Sequence, residues 1–528
     1  MGEKHANTHT KKKRYNPPMC NDNMTFQECE LAVLRQAVDE SGEKQGAKIA
    51  TSPDVQKIIK ILEEFLINKK LICYGGTAIN NILPKEAQFY DRDIEVPDYD
   101  FYSPRAMEDS RELADIYYRE GYGDVEAKAG VHLGTYKVYV NFLPIADITQ
   151  MHPTLYDALK PETITIAGIK YAPPNYLRMS MYLELSRPEG DVSRWEKVLK
   201  RINLLNKYHP LKSENCSSVD FQRGLDLKTN QSNEESIYYL ARDSFIDQGV
   251  VFLGGYGTAL YSKYMENDQQ HQVNKIPDFD VIAENPEKCA MIVRDKFADA
   301  GYKNVNIVRH TPLGEVIPMH VEITVNGDII AFIYKPLACH GYNKIEVSGK
   351  TVMVATIDTM LSFYLAFLYA DKSYFDKDRM LCMSTYLFEV EQKNKLEQKG
   401  LLKRFSLDCY GKQPTMEEMR EEKARKYTEL NGSKNPADKK EFERWFFKYS
   451  PANDSKWKGK NNKPIENVKR ERSITPTKTI VLQNNVRSLS RSLNKSMGRS
   501  KKRIPKKPST RRKGEPYAKR TFYFGKRK

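Results

Sequence analysis

Tryptophan, histidine and cysteine are sparse here: three, nine and eight residues in a chain of 528. The cysteines stand at 20, 29, 73, 216, 289, 339, 382 and 409, with no C-x-x-C pair and no histidine pair beside them. That spacing argues against a zinc site and against a disulfide framework, and favours a reducing compartment. Long apolar runs are also missing. The longest, "MLSFYLAFLYA" at 360–370, is too short to span a bilayer and predicts a buried helix. The opening "MGEKHANTHTKKKRYNPP" has charge but no apolar stretch behind it, so no secretion signal is read there. Ala6 stands where a myristoylation signal after Gly2 requires Ser or Thr. The expectation is a soluble cytosolic protein with no membrane partner. A surplus of acid is absent as well: 85 Lys and Arg against 69 Asp and Glu give +16. The surplus of base is local, because residues 499–528 hold 14 basic residues and one acid, Glu515, or +13 of the total. The body is therefore near neutral, and a uniformly basic shell is excluded.

What the chain does contain is a repeat. "SPDVQKIIKILEEFLINKKLICYGGTAI" aligns with "SNEESIYYLARDSFIDQGVVFLGGYGTAL", and "VPDYDFYSP" with "IPDFDVIAENP". Each segment reads as an amphipathic helix, a short apolar strand, two glycines and a second helix, then a Pro-Asp-aromatic-Asp strand. The offset holds: Gly75 to Gly254 is 179, Asp98 to Asp278 is 180, and Gly121-Tyr122 to Gly301-Tyr302 is 180. "YAPPNYLRMSMYLELS" matches "MVATIDTMLSFYLAFL" at 182. Landmarks in one order at one offset predict an internal duplication. The expected fold class is α/β (α+β), with two tandem units of one fold, helical additions and a basic tail. The expected boundaries are an N-terminal basic arm and helix to 50, a first domain 51–215, a linker 216–231 and a second, degenerate domain 232–395. A charged helical region 396–470 and a disordered basic tail 471–528 follow.

A glycine pair followed by paired aspartates has a chemical use. On a strand, residues i and i+2 share a face, so Asp98 and Asp100 present two carboxylates together. Hard oxygen ligands so placed suit Mg²⁺ or Mn²⁺ bound to phosphate. Gly75 and Gly76 at a strand-to-helix turn admit close approach of a polyphosphate, and Thr77 adds a hydroxyl at the helix N-terminus. A third carboxylate is then expected on a neighbouring strand. "TYKVYVNFLPIADITQ" at 135–150 reads as one apolar strand whose only acid is Asp147. A lone glycine pair or a lone D-x-D is ordinarily a turn or a solvated strand end; the ordered set with a third acid points to phosphoryl or nucleotidyl transfer.

"CYGGTAI", "PDYDFY" and "ADIT", with the long spacer "NNILPKEAQFYDRDIEV", resemble the polymerase-β-like nucleotidyltransferases. Within them the chain resembles the poly(A) polymerase catalytic subunits of poxviruses and giant, mimivirus-like DNA viruses, over both repeats but not the tail. The block 171–202 adds to that resemblance. It implies template-independent transfer of AMP from ATP to an mRNA 3′ end with two Mg²⁺ or Mn²⁺ ions. Asp98, Asp100 and Asp147 would be the metal triad, and Gly75, Gly76 and Thr77 the nucleotide loop. It also implies a homodimer, as in giant-virus relatives, or a cap-methyltransferase-like processivity subunit, as in poxviruses. The implied setting is the host cytoplasm, at a viral factory, and the virion. CCA or uridylyl addition by a related enzyme, and a non-catalytic RNA-binding scaffold, remain open on the residues alone.

Both repeats carry the glycines and the Asp pair, so the third carboxylate separates them. Anchoring Pro336 on Pro153 sets Ile330 opposite Asp147, which makes Asp278 and Asp280 a degenerate second site. In "SRWEKVLKRINLLNKY", Arg194, Lys197 and Arg201 share a helical face that fits triphosphate or RNA and equally fits solvent. The tail mixes basic clusters with Tyr517, Phe522, Tyr523 and Phe524, a composition suited to single-stranded RNA and also to a localisation or solubility tail.

Overall fold

Val55, Ile58, Ile59, Leu62, Phe65 and Leu66 line one face of the helix Pro53–Lys69, and a sheet covers that face. Pro at the first helical turn starts the helix, and Lys70 in the left-handed conformation ends it. The computed structural model describes residues 20–21, 23–214, 216–219, 221, 231–273, 278–394 and 397–457. The start of the N-terminal arm, residues 222–230 of the expected linker, the end of the charged region and the tail 471–528 lie outside the described residues.

The first sheet contains β1 (Ile72–Tyr74), β2 (Tyr99–Ser103), β3 (Val125–Ala129), β4 (Thr135–Val140), β5 (Leu143–Gln150), β6 (Ile164–Ile166) and β7 (Ile169–Tyr171). The second contains β8 (Val251–Leu253), β9 (Phe279–Ile282), β10 (Val305–His310), β11 (His320–Val325), β12 (Asp328–Tyr334), β13 (His340–Val347) and β14 (Lys350–Ala355). Two short strands from the C-terminal segment, β15 (Cys409–Tyr410) and β16 (Lys448–Tyr449), complete them. The orders are β16-β3-β4-β5-β2-β1-β7-β6 and β10-β11-β12-β9-β8-β14-β13-β15. Without the two added edges, these are one order read twice. The duplication is thus present in topology as well as in sequence.

The equivalent helices Pro174–Leu185 and Ile357–Phe367 pack against each other between the lobes. Tyr176 meets Tyr369 edge to face at 5.5 Å, and Ser186 accepts a hydrogen bond from the Gly341 N–H at 2.7 Å. The apolar run 360–370 is buried throughout, as expected of a core helix.

Two expectations need correction. Residues 135–150 are not one strand but the hairpin β4–β5, turned at Asn141 and Phe142, both at positive φ. The run of apolar residues hides the turn because no glycine marks it. The helix expected before residue 50 is Phe26–Ala50, started by a Thr25/Glu28 capping box. Cysteine spacing argued against disulfides, yet Cys20–Cys29, Cys216–Cys382 and Cys339–Cys409 are bonded, with Cα separations of 5.2, 5.5 and 5.2 Å. The last two pairs are 166 and 70 residues apart, so folding and not local spacing brings them together. The region 397–457 is helical as expected, at Met416–Leu430 and Pro436–Phe446, but it also contributes one edge strand to each sheet.

Candidate active site

β1 ends in Tyr74 and the chain turns at Gly75 into the helix Gly75–Ile82. Gly75 has φ +72°, and a Cβ there would stand 2.7 Å from Asp100 Oδ2. A Cβ on Gly76 would stand 2.6 Å from the Tyr90 hydroxyl and 2.9 Å from the Arg201 guanidinium. Gly75 is therefore required by its left-handed backbone, and a side chain at Gly76 would have to push the Tyr90 and Arg201 ends off the turn. Thr77 is buried and donates its hydroxyl proton to the Asp98 carbonyl at 2.5 Å, which ties the loop to the start of β2.

β2 and β5 run parallel with Asp100 opposite Asp147, and β1 pairs Tyr74 with Asp100. Two-residue alternation then puts Asp98, Asp100 and Asp147 on one side of the sheet. β4 sets Lys137 opposite Asp147, and the Lys137 ammonium is ion-paired to the Asp147 carboxylate. Desolvation raises the Asp98 and Asp100 carboxyls, helped by repulsion from the other aspartates, and Asp100 is pushed up to about 7. Asp98 is open at its own surface, yet the protein around it crowds the carboxyl enough to disfavour charge. Burial pulls Lys137 down, but its bond to Asp147 outweighs that and holds it above the usual lysine range.

The helix Trp195–Tyr208, with the turn before it, supplies the cations. Lys197 feels Asp98, and Arg194 feels Asp100. Burial, then the charges of Arg201 and Arg194, pull Lys197 below its ordinary value. Arg194 is also paired with Glu184 at 3.1 Å, and Arg201 donates to the Tyr90 hydroxyl while lying 5.0 Å from the Phe89 ring. All three cations expected on one helical face thus converge on the glycine loop and the carboxylates. Tyr90 was missed in the sequence. The long spacer places it, because Asn80 Oδ1 accepts hydrogen bonds from the Phe89 and Tyr90 N–H groups at 2.7 and 2.8 Å. Lys137 was missed too, since only the hairpin register brings it to Asp147.

Beside Thr77 and Asp98 opens a cavity of about 380 Å³, walled by Tyr90, Asn80, Asn81 and the C-terminal part of the helix Phe26–Ala50. The donor set suits a hard divalent cation: carboxylate oxygens on neighbouring strands, with the Asp98 and Asp100 carboxyls raised by burial and by one another's charge. The three carboxylates are not gathered within 4.8 Å. Among the described residues the one acid–cysteine trio so gathered is Glu189, Cys339 and Cys409, whose sulfurs are already bonded to each other.

The second lobe keeps the frame but not the third carboxylate. β12 runs parallel to β9 with Phe332, not Ile330, opposite Asp280. The sequence offset slips by two residues because Pro153 lies six positions after Asp147 whereas Pro336 lies four after Phe332. Glu322 stands opposite Phe332, where the first lobe has Lys137, and is bound to His310 at 2.8 Å. Asp280 is buried and accepts a hydrogen bond from the Tyr334 hydroxyl at 3.1 Å. A Cβ on Gly254 would fall 2.0 Å from its Oδ2, and one on Gly255 2.3 Å from Asp278 Oδ1. The aspartates there are packed against the glycine turn, with an aromatic ring in place of a third carboxylate.

Comparison with known proteins fits this geometry. Residues 60–191 match the family model described as "Poly(A) polymerase catalytic subunit". A protein of African swine fever virus (isolate Tick/Malawi/Lil 20-1/1983), provisionally named a poly(A) polymerase catalytic subunit, is 35% identical over 168 residues. One of the same name from Acanthamoeba polyphaga mimivirus is 33% identical over 190. These matches cover 31% and 35% of this chain and 35% and 30% of the relatives, so the chain spans about a third of their length. The crystal structure of the Megavirus polyadenylate synthase superposes with a TM-score of 0.66 at 19% identity, over 82% of this chain and 88% of that one. The chain thus shares the two-lobed fold of that polyadenylate synthase, and over residues 60–191 it is similar to the poly(A) polymerase catalytic subunits of large DNA viruses.

Proposed function

We propose that this protein is a poly(A) polymerase, transferring AMP from ATP to the 3′-hydroxyl of mRNA without a template, with its active site in the first lobe. The observation that carries the reading is the parallel register that sets Asp147 beside Asp100, two residues after Asp98 and against the Gly75 turn. The RNA 3′-oxygen forms a bond to the α-phosphorus of ATP, the bond to the bridging oxygen of the β-phosphate breaks, and pyrophosphate leaves. Gly75 and Gly76 let the backbone approach the triphosphate, with Thr77 fixing the turn. Arg194, Lys197 and Arg201 balance its charge. Asp98, Asp100 and Asp147 would hold two Mg²⁺ or Mn²⁺ ions, which supply Lewis-acid activation of the hydroxyl and charge neutralisation at the phosphates. Lys137 is ion-paired to Asp147 and holds its carboxylate in place. Asp278 and Asp280 belong to a degenerate copy with a structural task.

With this reading go RNA and ATP as partners, a homodimer or a processivity subunit as the assembly, and the host cytoplasm, viral factory and virion as the setting. Primer extension tests it. The full chain is given a short RNA and each NTP separately, with Mg²⁺ or Mn²⁺, beside the Asp98→Ala/Asp100→Ala and Asp278→Ala/Asp280→Ala proteins. Long products from ATP alone, lost in the first double variant and kept in the second, are expected. Products from CTP or UTP would instead indicate another terminal nucleotidyltransferase. No incorporation at all would leave an RNA-binding scaffold.

A further inference from the structure

Past the carboxylates, along the same face of the first sheet, lies a second pocket of about 510 Å³ that the catalytic scheme leaves unused. Tyr102 and Thr149 come two residues after Asp100 and Asp147, and they face each other in the β2–β5 register. At roughly 3.3 Å per residue, that row sits about 7 Å beyond the carboxylate row, at the C-terminal ends of the parallel strands. Tyr74 stacks on Tyr102 with ring centres 3.9 Å apart and planes 10° from parallel, and Tyr176 meets Tyr102 edge to face at 5.8 Å. The Tyr74 hydroxyl is fixed by Thr149 at 2.9 Å. Across the pocket stands the second lobe. Gly314, at φ +59°, packs so tightly that a Cβ would lie 3.2 Å from Leu155, and Glu315 and Val316 line the far wall. Arg444 of the C-terminal segment and the exposed His132 and His152 complete the rim. Glu315 is the one acid in the lining, and Arg187 is close enough to feel its charge.

A partly open aromatic floor with a cation at its rim, in line with the carboxylates, matches a planar base on a phosphate backbone. We propose that this interlobe pocket is the subsite for the 3′-terminal bases of single-stranded RNA, with the half-buried Tyr74 and Tyr102 as the stacking platform, the buried Tyr176 bracing them from behind, Arg444 at the backbone, and the loop 314–316 of the inactive lobe as the opposing wall. The assignment rests on the polymerase reading for its direction, because the 3′ end must point to Asp147. It gives the second lobe a part in catalysis without chemistry of its own. Stacking tolerates any base, so the pocket selects single strands and not a sequence.

The test measures RNA binding apart from catalysis. The full-length protein is titrated with a fluorescent ten-residue oligo(A), without ATP or metal, at several salt concentrations. The proteins compared are wild type, Tyr102→Leu, Val316→Trp and Arg444→Ala. Tyr102→Leu removes the ring but keeps an apolar filler; the Val316→Trp change narrows the pocket from the other lobe, so a folding defect in one is checked by the other. Each is expected to weaken binding about 5- to 10-fold or more, with the KM for ATP at saturating RNA within about twofold. Arg444→Ala is expected to flatten the salt dependence by about one phosphate contact. A photoreactive 4-thiouridine next to the 3′ end should cross-link to peptides containing 132–153 or 314–316. Unchanged RNA affinity in all three variants overturns the proposal, as does a rise in the KM for ATP in step with RNA loss, or cross-linking confined to 80–98. A protein that binds RNA through Tyr102 yet incorporates no nucleotide would sink the polymerase reading while leaving this subsite standing.

Discussion

At the scale of the residue, Asp100 carries a raised carboxyl whose proton a cation should displace. The Asp100 carboxyl sits near 7 when its ordinary value is near 4, so the folded state binds more protons than the unfolded between those values. Stability therefore falls as pH rises through that window when no metal is bound. A divalent ion reverses this, because it needs the ionised form. Mg²⁺ is accordingly expected to raise Tm more at pH 8 than at pH 6, and Asp100→Asn to raise the metal-free Tm at pH 8 while abolishing the response to Mg²⁺. A Mg²⁺ response that survives Asp100→Asn would remove this residue from the metal site. His340 shows the opposite sign. Its ring is fully buried, and burial together with nearby Arg187 pushes it down to about 3. Its Nε2 accepts a hydrogen bond from the Leu337 N–H at 3.3 Å. The folded state thus binds fewer protons between about 3 and 6.5, and stability is lost as pH falls through that range, by up to about 1.4 kcal/mol per pH unit. Melting curves from pH 7 to 4 should show a shallower acid slope in His340→Gln than in wild type. Parallel slopes would refute it.

At the scale of the element, the frame is legible and the registers are not. The amphipathic helix, apolar strand, glycine turn and Pro-Asp-aromatic-Asp strand are all where local pattern puts them, because burial of one face dictates a period that the sequence must keep. Asp98, Asp100 and Asp147 are legible for the same reason. Lys137 and Tyr90 are not, since each is brought in by a partner far along the chain: Lys137 by a hairpin turned at two non-glycine residues, Tyr90 by the Asn80 side chain. Phe332 was missed by two residues because pairing, not offset, decides what faces Asp280. That pairing carries a prediction about β9. Asp280 is held by the Tyr334 hydroxyl against the Gly254 turn and has Phe332 where a metal ligand would stand. Asp280→Ala should then lower Tm by several degrees, as expected for an orphaned buried donor, while kcat stays within about twofold. Loss of kcat with an unchanged Tm would return catalytic duty to the second lobe.

At the scale of the molecule, the C-terminal segment binds the two lobes into one body. It adds β15 to the second sheet and β16 to the first. Between them Trp195 of the first lobe meets Phe405, and Lys456 and Trp457 converge on Asp115 of the first lobe. Its deepest anchor is Arg404, which reaches Asp358 through two guanidinium nitrogens at 3.0 and 2.9 Å and Glu391 at 2.7 Å. Asp358 is fully buried and Glu391 nearly so. Such a cluster is weak evidence of net stabilisation, because an apolar trio of the same shape could replace it at little cost. Removing the cation alone is different, since two carboxylates then share a dry site with no counter-charge. Arg404→Met should therefore destabilise the protein by about 3–5 kcal/mol, read as a lower midpoint in urea. The triple variant Arg404→Met/Asp358→Leu/Glu391→Leu should recover most of that loss. If Arg404→Met alone costs less than about 1 kcal/mol, the segment is held by its edge strands and not by the buried cluster. If the interlobe pocket takes RNA, the same variant should weaken oligo(A) binding as well, because the strap that carries Arg404 also carries Arg444 to the rim.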